Sequence, residues 1–262
     1  MLKQAEHMSL IGNEPLEIRN VHPSYALGGD MKRLASRVFK ETLSGSLNAW
    51  KSIRFLRIYR RFRNFTMVPP STYVKNLILV ETIGRPIKGC VVECGVWKGG
   101  MIAGIAHSLG NDRDYYLFDS FEGLPPAKEI DGIAARHWQC DITSGNYYGN
   151  CRAGEHFAEG AMLRSGVTRF HIIKGPFEHT LSNFPSAASI AILRLDADWY
   201  ESTRYCLAHL YKHVVEGGLI IIDDYHVWEG CSKALHDFLS EHSLTDRIRQ
   251  YDNDVCYIVK GS

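Results

Sequence analysis

Five short apolar runs set the frame for this chain: CVVECG (90–95), YYLFD (115–119), RFHII (169–173), SIAILRLDAD (189–198) and GGLIIIDD (217–224). Each is short and rich in β-branched or aromatic residues. None alternates strictly between apolar and polar, so these runs predict strands covered on both faces. Residues Gly100 to Leu109 are helix-compatible, and ESTRYCLAHLYKHVV carries apolar residues at 207, 210, 211 and 214. Strands alternating with helices in this way predict a parallel sheet under two helical layers. After them, RIRQY, the turn Asp252-Asn253-Asp254 and VCYIV predict a closing hairpin that turns the last strand antiparallel. The expected fold is α/β, with a Rossmann-like, seven-stranded, mostly parallel sheet.

Ahead of the first strand, STYVKNLILVETIG (71–84) has a serine start, a periodic apolar face and a glycine stop, which predicts a helix. One or two further helices are expected over 31–64. There Phe55, Ile58, Tyr59 and Phe62 share one face, while Arg54, Arg57 and Arg61 line another. Residues 1–30 read as irregular. Residues 122–153, rich in Gly, Pro and Asn, read as a long insertion of the kind that forms lids and substrate walls. The expected division is an N-terminal extension over 1–65, serving as lid or oligomer contact, and a main domain over 66–262.

Charge narrows the classes further. The 262 residues carry a net charge of only +1, which argues against a nucleic-acid-binding coat. The positive charge is local: residues 31–63 hold ten Lys or Arg and one acid, Glu41. That segment leaves open a binding or scaffold protein docked on an anionic surface. A basic helix face packed on the domain or on a second subunit is the plainer alternative. No apolar run approaches the roughly 18–20 residues of a membrane span, and MLKQAEHMSL lacks the pattern of a signal peptide. The seven cysteines are odd in number and form no CxxC pair. Four of them (90, 94, 206 and 256) fall in expected strands or helices, so the chain reads as a reduced, cytoplasmic protein.

Open α/β sheets bind ligands at the carboxyl ends of their strands. The first strand ends at Gly95, and the second ends at Asp119, 24 residues later. A glycine lets backbone approach a ligand, and an acid there can accept hydrogen bonds from ribose hydroxyls. The pair points to an adenosine-containing cofactor. Without a phosphate-cradling glycine series, that cofactor is one lacking a pyrophosphate; a simple tight turn remains the alternative. The fourth and fifth strands should be neighbours, ending Leu195-Asp196-Ala197-Asp198 and Ile222-Asp223-Asp224. Carboxylates that close repel one another and raise their own pKa values. A hard divalent cation relieves this, so the acids point to Mg²⁺, with Mn²⁺ as the alternative. Asp198 also stands where it can cap the following helix. His226 and Glu201 lie just beyond and are candidate proton acceptors, and any of Trp97, Trp199 and Trp228 can wall a pocket here.

The blocks VVECGVWKGG, LFDSFEGLP, IIKGPFEHTLSNFP, LRLDADWYEST and LIIIDDYH, in this order over residues 66–259, resemble the macrocin/mycinamicin-type sugar O-methyltransferases, which include the novobiocin noviose enzyme. The resemblance implies a class I methyltransferase fold, S-adenosylmethionine and Mg²⁺ as cofactors, and a sugar hydroxyl on a glycosylated natural product or glycan as acceptor. It implies that Glu93 and Gly95 contact the methionine side of the cofactor, and that Asp119 binds the ribose with Ser120 and Phe121 near the adenosine. It further implies that Thr66, Met67 and Val68 cover the cofactor, and that Gly175 and Phe177 lie near the adenine. Asp196, Asp223 and Asp224 match the metal ligands, Asp196 also lying near the cofactor, and Asp198 matches the general base. A homo-oligomer through the N-terminal helices is implied as well. Two positions bear on the pattern: Ala197 replaces the glycine inside the LDGD block, and the aromatic or Met after it is Trp199, which can reshape the acceptor pocket. A catechol-type, Mg²⁺-dependent small-molecule O-methyltransferase is the nearest alternative.

Overall fold

A computed structural model of the protein describes residues 46–262, with side chains from Ser52 onward. The expectations for the irregular leader and for the front of the basic segment lie outside the described residues. Seven strands form one sheet in the order β3-β2-β1-β4-β5-β7-β6. The strands are β1 (Cys90–Cys94), β2 (Tyr115–Asp119), β3 (Phe170–Lys174), β4 (Ile190–Leu195), β5 (Val214–Ile222), β6 (Arg249–Tyr251) and β7 (Val255–Val259). The first five run parallel to one another. Strand β7 runs antiparallel to both β5 and β6, as the closing hairpin requires. The fold class and the β4–β5 adjacency therefore match the sequence expectation.

Alternation along each strand sends side chains to two cores. Val91, Leu117, Ile192 and Ile221 point to a layer built by α1 (Ser46–Phe62), α2 (Pro70–Leu79) and α3 (Gly100–Leu109), with one further helix described below. Val92, Leu193, Leu195, Ile220 and Ile222 point to the opposite layer. In α1 the expected face is the buried one: Phe55, Ile58 and Phe62 are in the core, while Arg57 and Arg61 are exposed. Arg54 reaches back to Glu81 at 3.2 Å. Helix α2 opens on Pro70, whose missing N–H costs nothing in the first turn. It continues through a π-helical turn, Val80–Gly84, so the predicted 71–84 segment is one continuous rod.

The insertion is more regular than its composition suggests. A 3₁₀ turn (Glu129–Asp131) leads into α4 (Gly132–Cys140), where the sequence reading expected loop throughout. GIAARHWQC presents no clear apolar stripe because its contacts are few: Ala135 is buried, Trp138 packs sideways, and Ile133 is exposed. The first core layer is completed by α5 (Glu155–Ser165). The second core layer contains the one-turn α6 (Phe177–Thr180), α7 (Tyr200–Leu210) and α8 (Glu229–Glu241). Helices α5 and α8 carry no expectation above. All seven cysteines are free, and 90, 94, 206 and 256 are buried as expected. Among the described residues, no helix is long and apolar enough to cross a membrane.

Tyr73 of α2 donates its hydroxyl to the Gly100 carbonyl at 2.8 Å, tying α2 to the start of α3. A Cβ at Gly104 would stand 1.8 Å from that hydroxyl oxygen. Replacing a mid-helix glycine by alanine ordinarily stabilises by about 0.5–1 kcal/mol. Here Gly104→Ala overpacks a closed contact, so a loss of about 1–3 kcal/mol is expected. Urea unfolding of the variant beside the wild type checks the sign.

Candidate active site

At the carboxyl ends of β1, β2, β4 and β5 lies a cavity of about 510 Å³. It sits where the strand order reverses between β1 and β4, the usual ligand position in open α/β sheets. Its floor is an ion cluster. Arg194, on β4, is fully buried. Its guanidinium contacts Glu93 at 2.6 Å, Asp196 at 2.8 Å and Asp223 at 2.5 Å. Strand register explains the meeting, because Glu93 on β1 and Ile221 on β5 both stand opposite Arg194. Burial opposes the Arg194 charge, but Asp223, Asp196 and Glu93 hold it firmly protonated. Burial also pushes Glu93 up to about 8 and Asp223 up to about 6, with Arg194 pulling each back.

Above this floor, Asp196, Asp198 and Asp224 each offer a carboxylate oxygen, all within 4.8 Å of one another. Burial and the mutual charges of the acids push Asp198 and Asp224 well above the ordinary carboxylate range. Asp198 adopts a left-handed backbone, φ 55°. Its own N–H donates to Asp224 Oδ2 at 3.0 Å. Asp223 lines the same cavity but turns one oxygen to Arg194. Five carboxylates thus cluster where one guanidinium contacts three of them, and Arg194 is the one cationic side chain lining the cavity among the described residues. A set of crowded oxygens short of positive charge suits a hard divalent cation. The donor chemistry fits Mg²⁺.

The other end is built by Gly95 and Asp119. Gly95 has φ +82°, and a Cβ there would lie 1.7 Å from the Asp196 carbonyl oxygen. Its glycine is thus required by the crossing of the β1 and β4 ends, before any ligand approaches. Asp119 is already heavily engaged. It accepts the N–H groups of Val96 and Trp97, each at 2.7 Å, and that of Phe121 at 2.6 Å. Burial raises its pKa and these three bonds lower it. Asp119 therefore shapes the loops after β1 and β2, a role that spacing alone does not reveal.

Thr66, Met67, Val68, Glu93, Gly95, Asp119, Ser120, Gly175, Phe177, Asp196, Asp198, Asp223 and Asp224 all line the cavity. Phe121 is buried in the core beside it and enters through its backbone. His226 is not brought to the site: it is exposed, its ring set edge-on to Tyr225. Glu201 is exposed as well and pairs with Lys128 of the insertion. Trp228 lines the cavity and Trp199 lies behind it. Sequence reasoning missed Arg194 and Trp138. The first was signalled by an arginine inside an otherwise apolar strand, the second by a lone tryptophan in a polar insertion.

Fold and site together define a methyltransferase of class I architecture, and the comparisons with known proteins say which kind. Residues 64–260 match the model of the macrocin O-methyltransferase (TylF) family. The chain belongs to that family and is an O-methyltransferase. It is 33% identical over 187 residues to demethyldecarbamoylnovobiocin O-methyltransferase of Streptomyces niveus, covering 68% of each chain. It is 31% identical over 178 residues to an 8-demethyl-8-(2,3-dimethoxy-alpha-L-rhamnosyl)-tetracenomycin-C 4'-O-methyltransferase of Streptomyces olivaceus, covering 66% of this chain and 67% of the other. The solved structure of the O-methyltransferase NovP superposes with a TM-score of 0.62 at 28% identity, over 76% of this chain and 83% of that one. The enzyme class thus replaces the scaffold alternative as a reading of the whole chain.

Removing the guanidinium would strand Glu93, Asp196 and Asp223 around an apolar gap. Arg194→Leu is expected to lose about 3–5 kcal/mol, the cost of breaking a buried ion cluster from one side. Arg194→Lys, which keeps a charge but not the fork, should recover part of it. Chemical denaturation of both variants checks the order.

Proposed function

We propose that the protein moves the methyl group of S-adenosylmethionine to a hydroxyl of a sugar carried on a glycosylated natural product, with Mg²⁺ as a required ion. The observation that carries this reading is the convergence of Asp196, Asp198 and Asp224 within 4.8 Å, in the same cavity as Gly95 and Asp119. The name of one relative supports the acceptor class, since it gives a rhamnosyl-bearing tetracenomycin as that enzyme's substrate. A methyltransferase of the same fold solved with SAH bound supports the donor.

In this reading Asp196 and Asp224, whose oxygens converge with that of Asp198, would hold the cation, and Asp223 would join them through the oxygen it does not turn to Arg194, which keeps Asp196 and Asp223 in place. Asp119 would offer the one acceptor site left on Oδ1 to a ribose hydroxyl, while Thr66, Met67 and Val68 would cover the donor. When bound, Mg²⁺ supplies Lewis acidity toward a sugar hydroxyl and S-adenosylmethionine supplies the electrophilic methyl. Asp198 would accept the proton of that hydroxyl as its oxygen takes the methyl group and the donor leaves as neutral S-adenosylhomocysteine. The crowd of carboxylates favours a cationic donor over its neutral product, and the buried floor keeps water from the reacting groups. The exposed position of His226, outside the cavity, supports Asp198 as the proton acceptor in this reading.

The test is a panel of hydroxylated glycosides and catechols incubated with S-adenosylmethionine, scored by mass for one added methylene, with Mg²⁺ and with EDTA. Methylation of glycosides that EDTA abolishes supports the reading, and methylation of catechols alone overturns it. Asp198→Asn is expected to lower turnover by about 10²–10⁴ with donor affinity unchanged. Mg²⁺ at a hundredfold excess over its Kd should stabilise the wild type by about 2.7 kcal/mol. Asp224→Ala should lose that stabilisation together with activity, which thermal unfolding with and without Mg²⁺ reads.

A further inference from the structure

Asp198 is held from two sides, and the second holder is a tryptophan. The indole Nε1–H of Trp228 donates to Asp198 Oδ1 at 3.0 Å. The main chain of the same residue is fixed too: the Trp228 N–H donates to the Asp224 carbonyl at 3.0 Å. Because the Asp198 N–H donates to Asp224 Oδ2, these three residues close a ring of hydrogen bonds between the ends of β4 and β5. Asp198 sits in a left-handed conformation that a non-glycine residue adopts at a cost, and this ring supplies the compensation.

Trp228 is itself clamped. It is nearly fully buried, with its ring 5.4 Å from Trp199 and 5.9 Å from Trp138, both tilted or edge-on. Trp199 directly follows Asp198 and donates its own indole N–H to the Pro125 carbonyl at 2.9 Å. Trp138 comes from α4 of the insertion and donates to the Asn146 carbonyl at 3.0 Å. Gln139 locks the same insertion, accepting from the Ala127 N–H at 2.6 Å and donating to the Pro125 carbonyl at 2.9 Å. An uninterrupted set of contacts therefore runs from the insertion to one oxygen of Asp198.

We infer that Trp228 is the positioning residue for Asp198, and that the insertion, through Trp138, holds Trp228 in the orientation that fixes it. Trp228 binds Oδ1, so the second carboxylate oxygen is the one that faces a bound acceptor. A freely rotating carboxylate would present either oxygen. The insertion thus does more than wall the cavity: it sets the geometry of the proton acceptor. This inference rests on the role given to Asp198 above.

Two measurements test it. Trp228→Phe keeps an aromatic ring in the cluster and removes the N–H. Loss of an outer partner of this kind is expected to lower kcat by about 10- to 100-fold. The acceptor KM and the calorimetric affinity for S-adenosylmethionine should stay at wild-type values. In Asp198→Asn the added Trp228→Phe change should cost little more, because the two act as one unit. A wild-type kcat, a full additional loss in the double variant, or a loss of donor affinity in parallel with kcat would each overturn the proposal. The second measurement needs no activity. The chain has five tryptophans, and ¹⁵N-labelled indole signals are countable in solution. The Trp228 indole signal should be protected from solvent exchange and should move in Asp198→Asn, which leaves the tryptophan cluster intact. A signal unmoved by Asp198→Asn overturns the contact. If the wild type methylates nothing but the indole signal moves, the functional reading fails while the contact stands.

Discussion

One fully buried guanidinium holds the ends of three strands together. Arg194 has no water to solvate it, and burying an isolated charge at that depth is prohibitive. Glu93 from β1, Asp196 from the end of β4 and Asp223 from the end of β5 meet it, and each needs it for the same reason. The strands can reach this arrangement only in the observed register and order. Swapping β4 out of the centre would leave four charges in an apolar layer. The cluster therefore adds little net stability as an interaction, since desolvation consumes most of the attraction, yet it selects one topology strongly. The acids of the candidate site inherit their positions from it.

Above Arg194 the balance tips the other way. Asp198 and Asp224 receive no guanidinium, and their charges crowd against Asp196. A folded chain that keeps such acids carries an electrostatic cost that a cation can remove. Floor and rim thus divide the work: the floor is neutralised from within, and the rim is left short of positive charge. The hydrogen bonds at the rim, from Trp228 to Asp198 and from Asp198 to Asp224, fix oxygens without neutralising them.

Most of the architecture was legible in the sequence because the strands are nearly pure apolar runs and the acids fall directly at their ends. VVECG, LFD, LRLDAD and LIIIDD announce both a buried strand and where it stops. What stayed hidden depends on partners far along the chain. Arg194 reads locally as a polar interruption of a strand; its meaning comes from Glu93, 101 residues away. Asp119 reads as a ligand-binding acid, and the three backbone N–H groups it holds become visible only when the loops after β1 and β2 come together. Helix α4 was missed because Gly, Pro and Asn around it mask nine residues with too few contacts to show a period. His226 stood close to the acids in sequence, but the 3₁₀ turn from Asp223 to His226 carries it outward.

The central claim is that the acid rim is a preformed site for one divalent cation, standing on the Arg194 floor. Calorimetric titration of Mg²⁺ into metal-free protein, without donor or acceptor, tests it most directly. The account predicts a single saturable site that disappears in an Asp196→Asn, Asp224→Asn double variant whose fold is intact. Absence of Mg²⁺ binding to the wild type, or binding that survives in the double variant, would contradict it.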